Sequence, residues 1–435
     1  MYPGGRPPDA DRGEAFRDDP HRPPHPSRRR PLEPPGGSRD RRGGRTARGG
    51  PGRPAAGAAS PRAPAARAEL ARAAHHRPRH GRPHRRRGGR DPAPGDRCGG
   101  RPRGPRPAGT GRLRADLDAL PLEEATGLPF ASRTQGVCHA CGHDVHTAGV
   151  LGAGLALKAV EDELVRRRIG VRLLFQPAEE TIPGGAHAVM EHGGLDGVDR
   201  LLAVHCDPSI DVGTVGLRVG PITAASDSVH VALTGRGGHT SRPHLTQDLT
   251  YALGKVVTEV PAVLSRRLDP RDGATLVWGM VRSGSAPNII PTRAECTGTL
   301  RILDAEAWHS TGPLIEEIVR SVVAPYGVGA EVTYVKGVPP VDNDNDAVVA
   351  LSRAAMTLLG PHAVVPTKQS MGGEDLGWYL TQVPGAMARL GTRTPGGQTH
   401  ELHQGDLVVD ERAVVVAAQV LAGSVLTSVG TDGLV

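Results

Sequence analysis

Aromatic side chains are scarce in this chain: Phe, Trp and Tyr make up 3% of 435 residues. Cysteine is scarcer, with five in all: Cys98, Cys138, Cys141, Cys206 and Cys296. Thiols so few and odd in number argue against a disulfide framework and for a reducing, cytoplasmic setting. No run of about 18 apolar residues occurs, so a membrane-spanning helix is not expected. The opening Met1-Tyr-Pro-Gly-Gly-Arg6 offers no apolar core for a secretory signal. What remains is a hydrophobic content of 37%, adequate for a soluble core, and a length that suggests two or three units.

Residues 1–110 lack valine, isoleucine and lysine altogether, and their only large apolar residues are Met1, Tyr2, Phe16, Leu32 and Leu70. They hold 27 of the 53 Lys+Arg and 10 of the 46 Asp+Glu, a local charge of +17 that leaves −10 for the rest. The overall +7 therefore describes neither part. Such a segment cannot bury enough apolar surface to offset its ordering entropy, and it reads as disordered. A native anion-binding arm, an organelle-targeting peptide and a GC-rich gene translated out of frame all give this composition. The last is preferred, because ordinary periodic sequence starts abruptly near Gly111, in the middle of a strand-like run. The coding DNA tests it: the other frames upstream of codon 111 should encode strand- or helix-like sequence.

From there the pattern alternates strands and helices, which is α/β. Ile169–Phe175 and Leu201–His205 read as buried strands, and the stretch from Cys141 to Val160 reads as a helix with Ala148, Leu151 and Leu155 at helical spacing and Asp144 as its cap. Near 223 the texture changes. Ser228–Thr234 alternates as a half-exposed antiparallel strand does, followed by a helix at 247–265, strands at 274–282 and 292–302, a helix at 305–324 and a strand at 330–336. That order suits a small inserted α+β domain. A helix at 346–359 and short strands then return to the first unit. No internal repeat is evident.

Chemistry concentrates in Cys138-His-Ala-Cys-Gly-His-Asp-Val-His146. Thiolate and imidazole ligate borderline metals, and carboxylates complete such sites. In an extended segment Cys141 and His143 would point to one side. A zinc ribbon would need a second Cys-x-x-Cys, and covalent haem attachment would need His where Gly142 stands; a redox pair or a structural cluster also fits the spacing. Phe175-Gln-Pro-Ala-Glu-Glu180 ends a strand on two adjacent carboxylates, costly to bury without a cation. One could hold a metal while its neighbour takes a proton from water; alone, such a pair is more often solvated surface. His205 at a strand end, the glycine-rich Gly235–His244 with His239 and His244, and Thr399-His-Glu-Leu-His403 complete the set, each open to a bland reading as core, turn or surface.

Taken in order, these motifs resemble the metal-dependent amidohydrolases of the aminoacylase and carboxypeptidase group, among them hippurate hydrolases, indole-acetyl-amino-acid hydrolases and N-acetyldiaminopimelate deacetylases. The resemblance runs from about Leu113 to the C-terminus. It adds Arg114-Ala-Asp-Leu-Asp-Ala-Leu-Pro121, Pro287-Asn-Ile-Ile-Pro291 and Gly373-Glu-Asp375 to the motifs above. It implies a catalytic domain in two parts (113–222 and 338–435) around an inserted dimerisation or lid domain (223–337), with 1–112 outside the fold. It further implies two divalent ions, Mn, Zn, Co or Ni, on Cys141, His143, Glu180, His205 and His403, with Glu179 as general base and proton donor. Asp118 would position the site. His239 would reach a partner subunit's site to stabilise the oxyanion, and Asn288, Arg301 and His244 would contact substrate or cross the dimer. A small N-acyl amino acid is the implied substrate and a homodimer the implied assembly, with neither nucleic acid nor membrane as partner.

Three departures stand out. Cys138 replaces the usual Met. His403 precedes Gln-Gly-Asp-Leu rather than Ser-Pro-x-Phe, although Leu407 and Asp410 keep the spacing that favours it over His400. Residues 1–112 replace elements of the catalytic domain, which would leave one side of its sheet uncovered. The competing expectations are an impaired relic of the same family, or a metal-binding protein led by a polyanion-binding arm. Deleting 1–110 separates them, since polyanion binding would vanish and amide hydrolysis would not.

Overall fold

A computed structural model describes residues 109–428, and the arm expected at 1–108 lies outside them. The first strand takes in residues 109–112, which were expected to lie outside the fold. Strand β1 (Gly109–Asp116) pairs in parallel with β2 (Ile169–Gln176) from its first residue, Gly109 opposite Ile169. Ladder hydrogen bonds come from the backbone, so Gly-Thr-Gly, which reads as the end of low-complexity sequence, completes a strand all the same.

Helices α1 (His143–Ala159) and α2 (Glu161–Arg166) lie between β1 and β2. After β2 come α3 (Ala186–Glu191), β3 (Arg200–Asp211), β4 (Val215–Leu217) and β5 (Gly220–Thr223). A second group comprises β6 (Ala225–Thr234), β7 (Gly238–His239), α4 (Leu249–Arg267) and β8 (Thr275–Ser283). It continues through β9 (Ile289–Ile290), β10 (Arg293–Ile302), α5 (Ala305–Val323) and β11 (Gly329–Val338). The chain then adds β12 (Val341–Asn343), α6 (Asn345–Leu359), β13 (Val364–Pro366), α7 (Leu376–Leu380), β14 (Gly385–Arg393) and α8 (Arg412–Ser428).

Six strands form the first sheet in the order β13-β4-β14-β3-β1-β2, and β14, β3, β1 and β2 all run parallel. Side-chain alternation divides its two faces. Leu113 and Ala115 of β1, Leu202, Val204 and Cys206 of β3, and Ala388 and Leu390 of β14 share a core with α1, α6 and α8. Leu201, Ala203 and Met387, of opposite phase, meet Ala186 of α3 and Leu376 and Tyr379 of α7. Helices thus cover both faces, as parallel sheets require.

The helix expected from Cys141 to Val160 is there, but its buried stripe is Val145, Gly149, Val150, Ala153 and Leu157, while Leu151 and Leu155 are exposed. Small residues decide this face: a Cβ on Gly149 would lie 2.7 Å from Ala417 Cβ of α8, so the two helices approach too closely for leucine between them. Nor is Asp144 the cap. Gly142 occupies that position, and Asp144 sits in the first turn, where its charge favours the helix N-terminus. Beside α1, β2 forms the sheet edge among the described residues, and Leu155, Val165 and Phe175 are exposed.

The second sheet is antiparallel, ordered β11-β6-β10-β8. Its core joins Val229, Val231 and Leu233 to Leu253 and Val256 of α4 and to Ile315 and Val319 of α5. Strand β8 is its edge and exposes Val277 and Val281. Among the described residues no helix is long and apolar enough to cross a membrane.

Candidate metal centre and active site

The C-terminal ends of parallel strands, where α/β sheets place their chemistry, bring the sequence motifs together. Asp118 follows β1, Glu179 and Glu180 follow β2, His205 lies on β3, and Cys141 and His143 flank Gly142 at the start of α1. The segment around Gly142 is not extended. Gly142 takes φ 80°, and a Cβ there would lie 2.6 Å from Cys206 Sγ. Only glycine fits both demands. Gly142→Ala should therefore destabilise the fold by about 2–5 kcal/mol, summing left-handed strain and overpacking; urea unfolding checks this, and an effect below about 1 kcal/mol would show that the turn relaxes freely.

Around this turn Cys141 Sγ stands 3.6 Å from His205 Nε2, and His143 Nε2 lies 3.9 Å from Glu180 Oε1 and 4.0 Å from Glu179 Oε2. His403 Nε2 approaches Glu180 Oε1 to 3.2 Å. His403 holds φ 62° and Ala178, just before the two glutamates, φ 60°. Strain of this kind persists only where the surroundings over-determine it. Both inner imidazoles are oriented alike: His143 Nδ1 donates to Asp118 O and His205 Nδ1 to Cys206 O, each at 2.9 Å, which leaves Nε2 facing the centre. Asp118 also accepts the Glu180 N–H at 2.8 Å. Metal-ligating histidines are typically oriented by such outer hydrogen bonds.

The donors suit a divalent cation and resist each other without one. His143 Nε2 and Glu180 Oε1 are buried without hydrogen-bond partners, although such groups rarely go unsatisfied. Burial, then Glu180 and Glu179, push the Cys141 thiol well above its ordinary range. Burial, then Glu374, push the Glu179 carboxyl up to about 10. Burial lowers His143, but Asp118 and Asp116 prevail and hold it up at about 9. Cys141, His143 and His205 form one group of close donors and Cys141, Glu180 and His403 another, and these are the residues that would hold divalent cations.

Beneath lies a buried layer that motif reading left without roles. Arg114 on β1 donates to Asp116 and Asp375 at 2.8 Å each and to Gln176 at 3.0 Å, and it pairs with Glu374 at 3.1 Å. Gln176 donates to both Asp375 oxygens, and Tyr379 donates to Gln176. His146 is fully engaged: Nδ1 donates to Asp116 at 2.6 Å and Nε2 accepts from Cys206 N at 2.8 Å. It orients Asp116 and offers no free nitrogen to a metal.

The remaining sequence candidates divide. Arg301 reaches the same cleft, of about 340 Å³, and donates to Met371 O at 2.9 Å. His239 and Asn288 lie on the β7–β9 ribbon, where Thr240 N donates to Asn288 O, and His244 is on the adjoining turn. All three are exposed, and none lines the cleft.

A buried cysteine sulfur, three imidazoles and paired carboxylates at the strand ends of an α/β sheet make a donor set of the kind that metal-dependent hydrolases use. The comparisons agree. Residues 112–427 match the family model described as peptidase family M20/M25/M40. Over 309 residues the chain is 48% identical to a Rhodococcus jostii protein provisionally named glutamate–cysteine ligase 2-3; the match takes in 71% of this chain but 38% of that longer protein. It is 38% identical to N-acetyl-L-cysteine deacetylase of Bacillus subtilis, with 71% and 72% covered. Among solved structures it resembles the Bacillus subtilis YXEP protein, a dinuclear metal binding peptidase from the M20 family, with TM-score 0.64, 33% identity and 74% and 82% covered. The chain belongs to peptidase family M20/M25/M40 and is a hydrolase of amide bonds.

Proposed function

We propose that this chain hydrolyses the amide bond of small N-acyl amino acids, using two divalent cations held by Cys141, His143, Glu180, His205 and His403. The convergence of these five side chains, with His143 Nε2 and Glu180 Oε1 buried and making no hydrogen bond, carries the reading. Bacillus relatives named as deacetylases of N-acetylcysteine and N-acetyldiaminopimelate support the substrate class. Bound cations would supply the positive charge that makes water acidic near neutral pH and polarises a carbonyl.

The chain's own residues do the rest. Glu179, in the cleft beside His143, takes the proton of the attacking water and returns it to the leaving amine. Asp118 fixes His143 and the Glu180 backbone. Arg301 meets the substrate's α-carboxylate at the cleft wall. Metal-supplemented assay with Mn, Zn, Co or Ni against N-acetyl, N-benzoyl and longer N-acyl amino acids tests the reading. Absence of cleavage with every metal would reduce the chain to a relic of its family.

Strand β8 pairs with β10 on one side only, and its free edge with exposed apolar side chains supports a homodimer through that face. His239 and Asn288 would then serve the partner's cleft, with His239 against the oxyanion. His239→Ala and Glu179→Ala should each be nearly inactive, while an equal, re-equilibrated mixture recovers about a quarter of wild-type activity, because half the sites in a mixed two-fold dimer are complete. Activity no higher than the two variants' average would mean that His239 does not serve the partner's cleft.

A further inference from the structure

Arg389 is a buried cation beside the site that the mechanism leaves unused. It lies on β14 directly opposite His205 of β3, on the sheet face that carries the site, and only 8% of it is exposed. Among the described residues its guanidinium makes no hydrogen bond or ion pair, whereas Arg114 is matched by three carboxylates and Arg393 by Asp211. Asp207 and Glu374 favour its charge through space only, and Asp207 is already engaged with Ser209. An unpaired cation beside metal ligands is costly unless an anion completes it.

Space for that anion exists. Arg389, Ser370 and Leu402 form a wall common to the catalytic cleft and to a neighbouring cavity of about 530 Å³. Gly216, next to Arg389 on β4, keeps the wall thin: a Cβ there would lie 3.2 Å from Arg389 Cβ. Lys368 lines the same cavity, and so does His400, whose Nδ1 is buried without a partner. Its acids are Asp207, half-buried and turned to Ser209, and the exposed Glu401. Three groups able to donate to an anion thus line a space that shares Arg389 with the catalytic cleft.

Resting on the hydrolase reading above, we propose that this cavity receives a second carboxylate of the substrate, with Arg389 as its recognition group. The preferred substrates are then N-acyl amino acids with two negative charges: the α-carboxylate at Arg301 and another carried by either the acyl group or the amino-acid side chain. Arginine suits the task because its planar fork pairs with both carboxylate oxygens.

The experiment compares kcat/KM for N-acetyl-L-alanine, N-acetyl-L-glutamate and N-succinyl-L-alanine in the metal-loaded full chain and in Arg389→Gln and Arg389→Lys. Binding of glutarate, which needs no turnover, is measured alongside by calorimetry. One dianionic substrate should exceed N-acetyl-L-alanine by about tenfold or more, the worth of one charge-assisted contact, and its identity tells which side of the amide enters the cavity. Arg389→Gln should remove the preference and weaken glutarate binding by a similar factor, with Arg389→Lys in between. Equal kcat/KM for all three substrates in the wild type, or a preference and glutarate affinity that survive Arg389→Gln, overturns the proposal and leaves the hydrolase reading standing. Glutarate binding that depends on Arg389, with no substrate cleaved, upholds the anion site and removes the hydrolase reading. Absence of both cleavage and glutarate binding removes both.

Discussion

Glu179→Ala should lower kcat by about 10²- to 10⁴-fold, the usual worth of a positioned general base, while metal content stays near that of the parent chain. The two adjacent glutamates are chemically identical, and only their surroundings separate them. Glu180 groups with Cys141 and His403, and its Oε1 lies 3.2 Å from His403 Nε2. Its backbone N–H is tied to Asp118, so its direction is fixed. Both glutamates also group with His143, but Glu179 alone joins Glu374 and Asp375, and burial together with Glu374 pushes its carboxyl up to about 10. Neighbouring cations would bring that value down toward the range in which a base both accepts and releases a proton. Glu180→Ala should therefore lose metal along with activity, and Glu179→Ala should lose activity alone. Metal analysis by mass spectrometry on both variants decides it. Metal lost from Glu179→Ala would move that residue into the ligand set and leave the reaction without its base.

The donors were legible because their chemistry is local. Cys141-Gly-His143 and Glu179-Glu180 are short motifs whose residue types have few common reasons to cluster, and each stands next to a strand or helix end that periodicity alone locates. What the sequence hides is pairing across distance. Arg114 meets Asp375 across 261 positions, and neither the hydrophobic pattern nor a spacing rule links them. Worse, Arg112, Arg114 and Asp116 alternate with Leu113 and Ala115, which reads as a strand with one wet face; in the fold both faces are covered, and the charged phase becomes the floor of the site. Arg389 is hidden in the same way inside Ala386-Met-Ala-Arg-Leu390. The buried face of α1 is not the one its leucines mark, because apolar residues signal burial only where a neighbour leaves room for them, and α8 approaches too closely at Gly149. Distances between the two sheets are equally invisible, so nothing in the sequence around His239 or Asn288 could place either against the cleft of its own chain.

The floor itself makes the largest stability prediction: Arg114→Met should destabilise the metal-free protein by about 3–5 kcal/mol, the cost of removing one partner from a buried ionic group. Arg114 is the cation among Asp116, Glu374 and Asp375, all at most 3% exposed. Methionine replaces its bulk, so the loss reports charge rather than a cavity. Even with Arg114 present, burial first and Glu374 next hold the Asp375 carboxyl up to about 7. A carboxyl raised in the folded state binds more protons there than when unfolded, so its contribution to stability falls as pH rises through that interval. Without the guanidinium this rise must be larger, and the gap between variant and parent should widen from about pH 5 to about pH 8. Lysine would not restore the parent, since one ammonium cannot serve Gln176, Asp116 and Asp375 from three directions as the guanidinium does. Urea unfolding at both pH values measures the effect. A loss under about 1 kcal/mol, or a gap that narrows as pH rises, would mean that the three carboxyls are neutral in the folded chain and that the floor is held by hydrogen bonds alone.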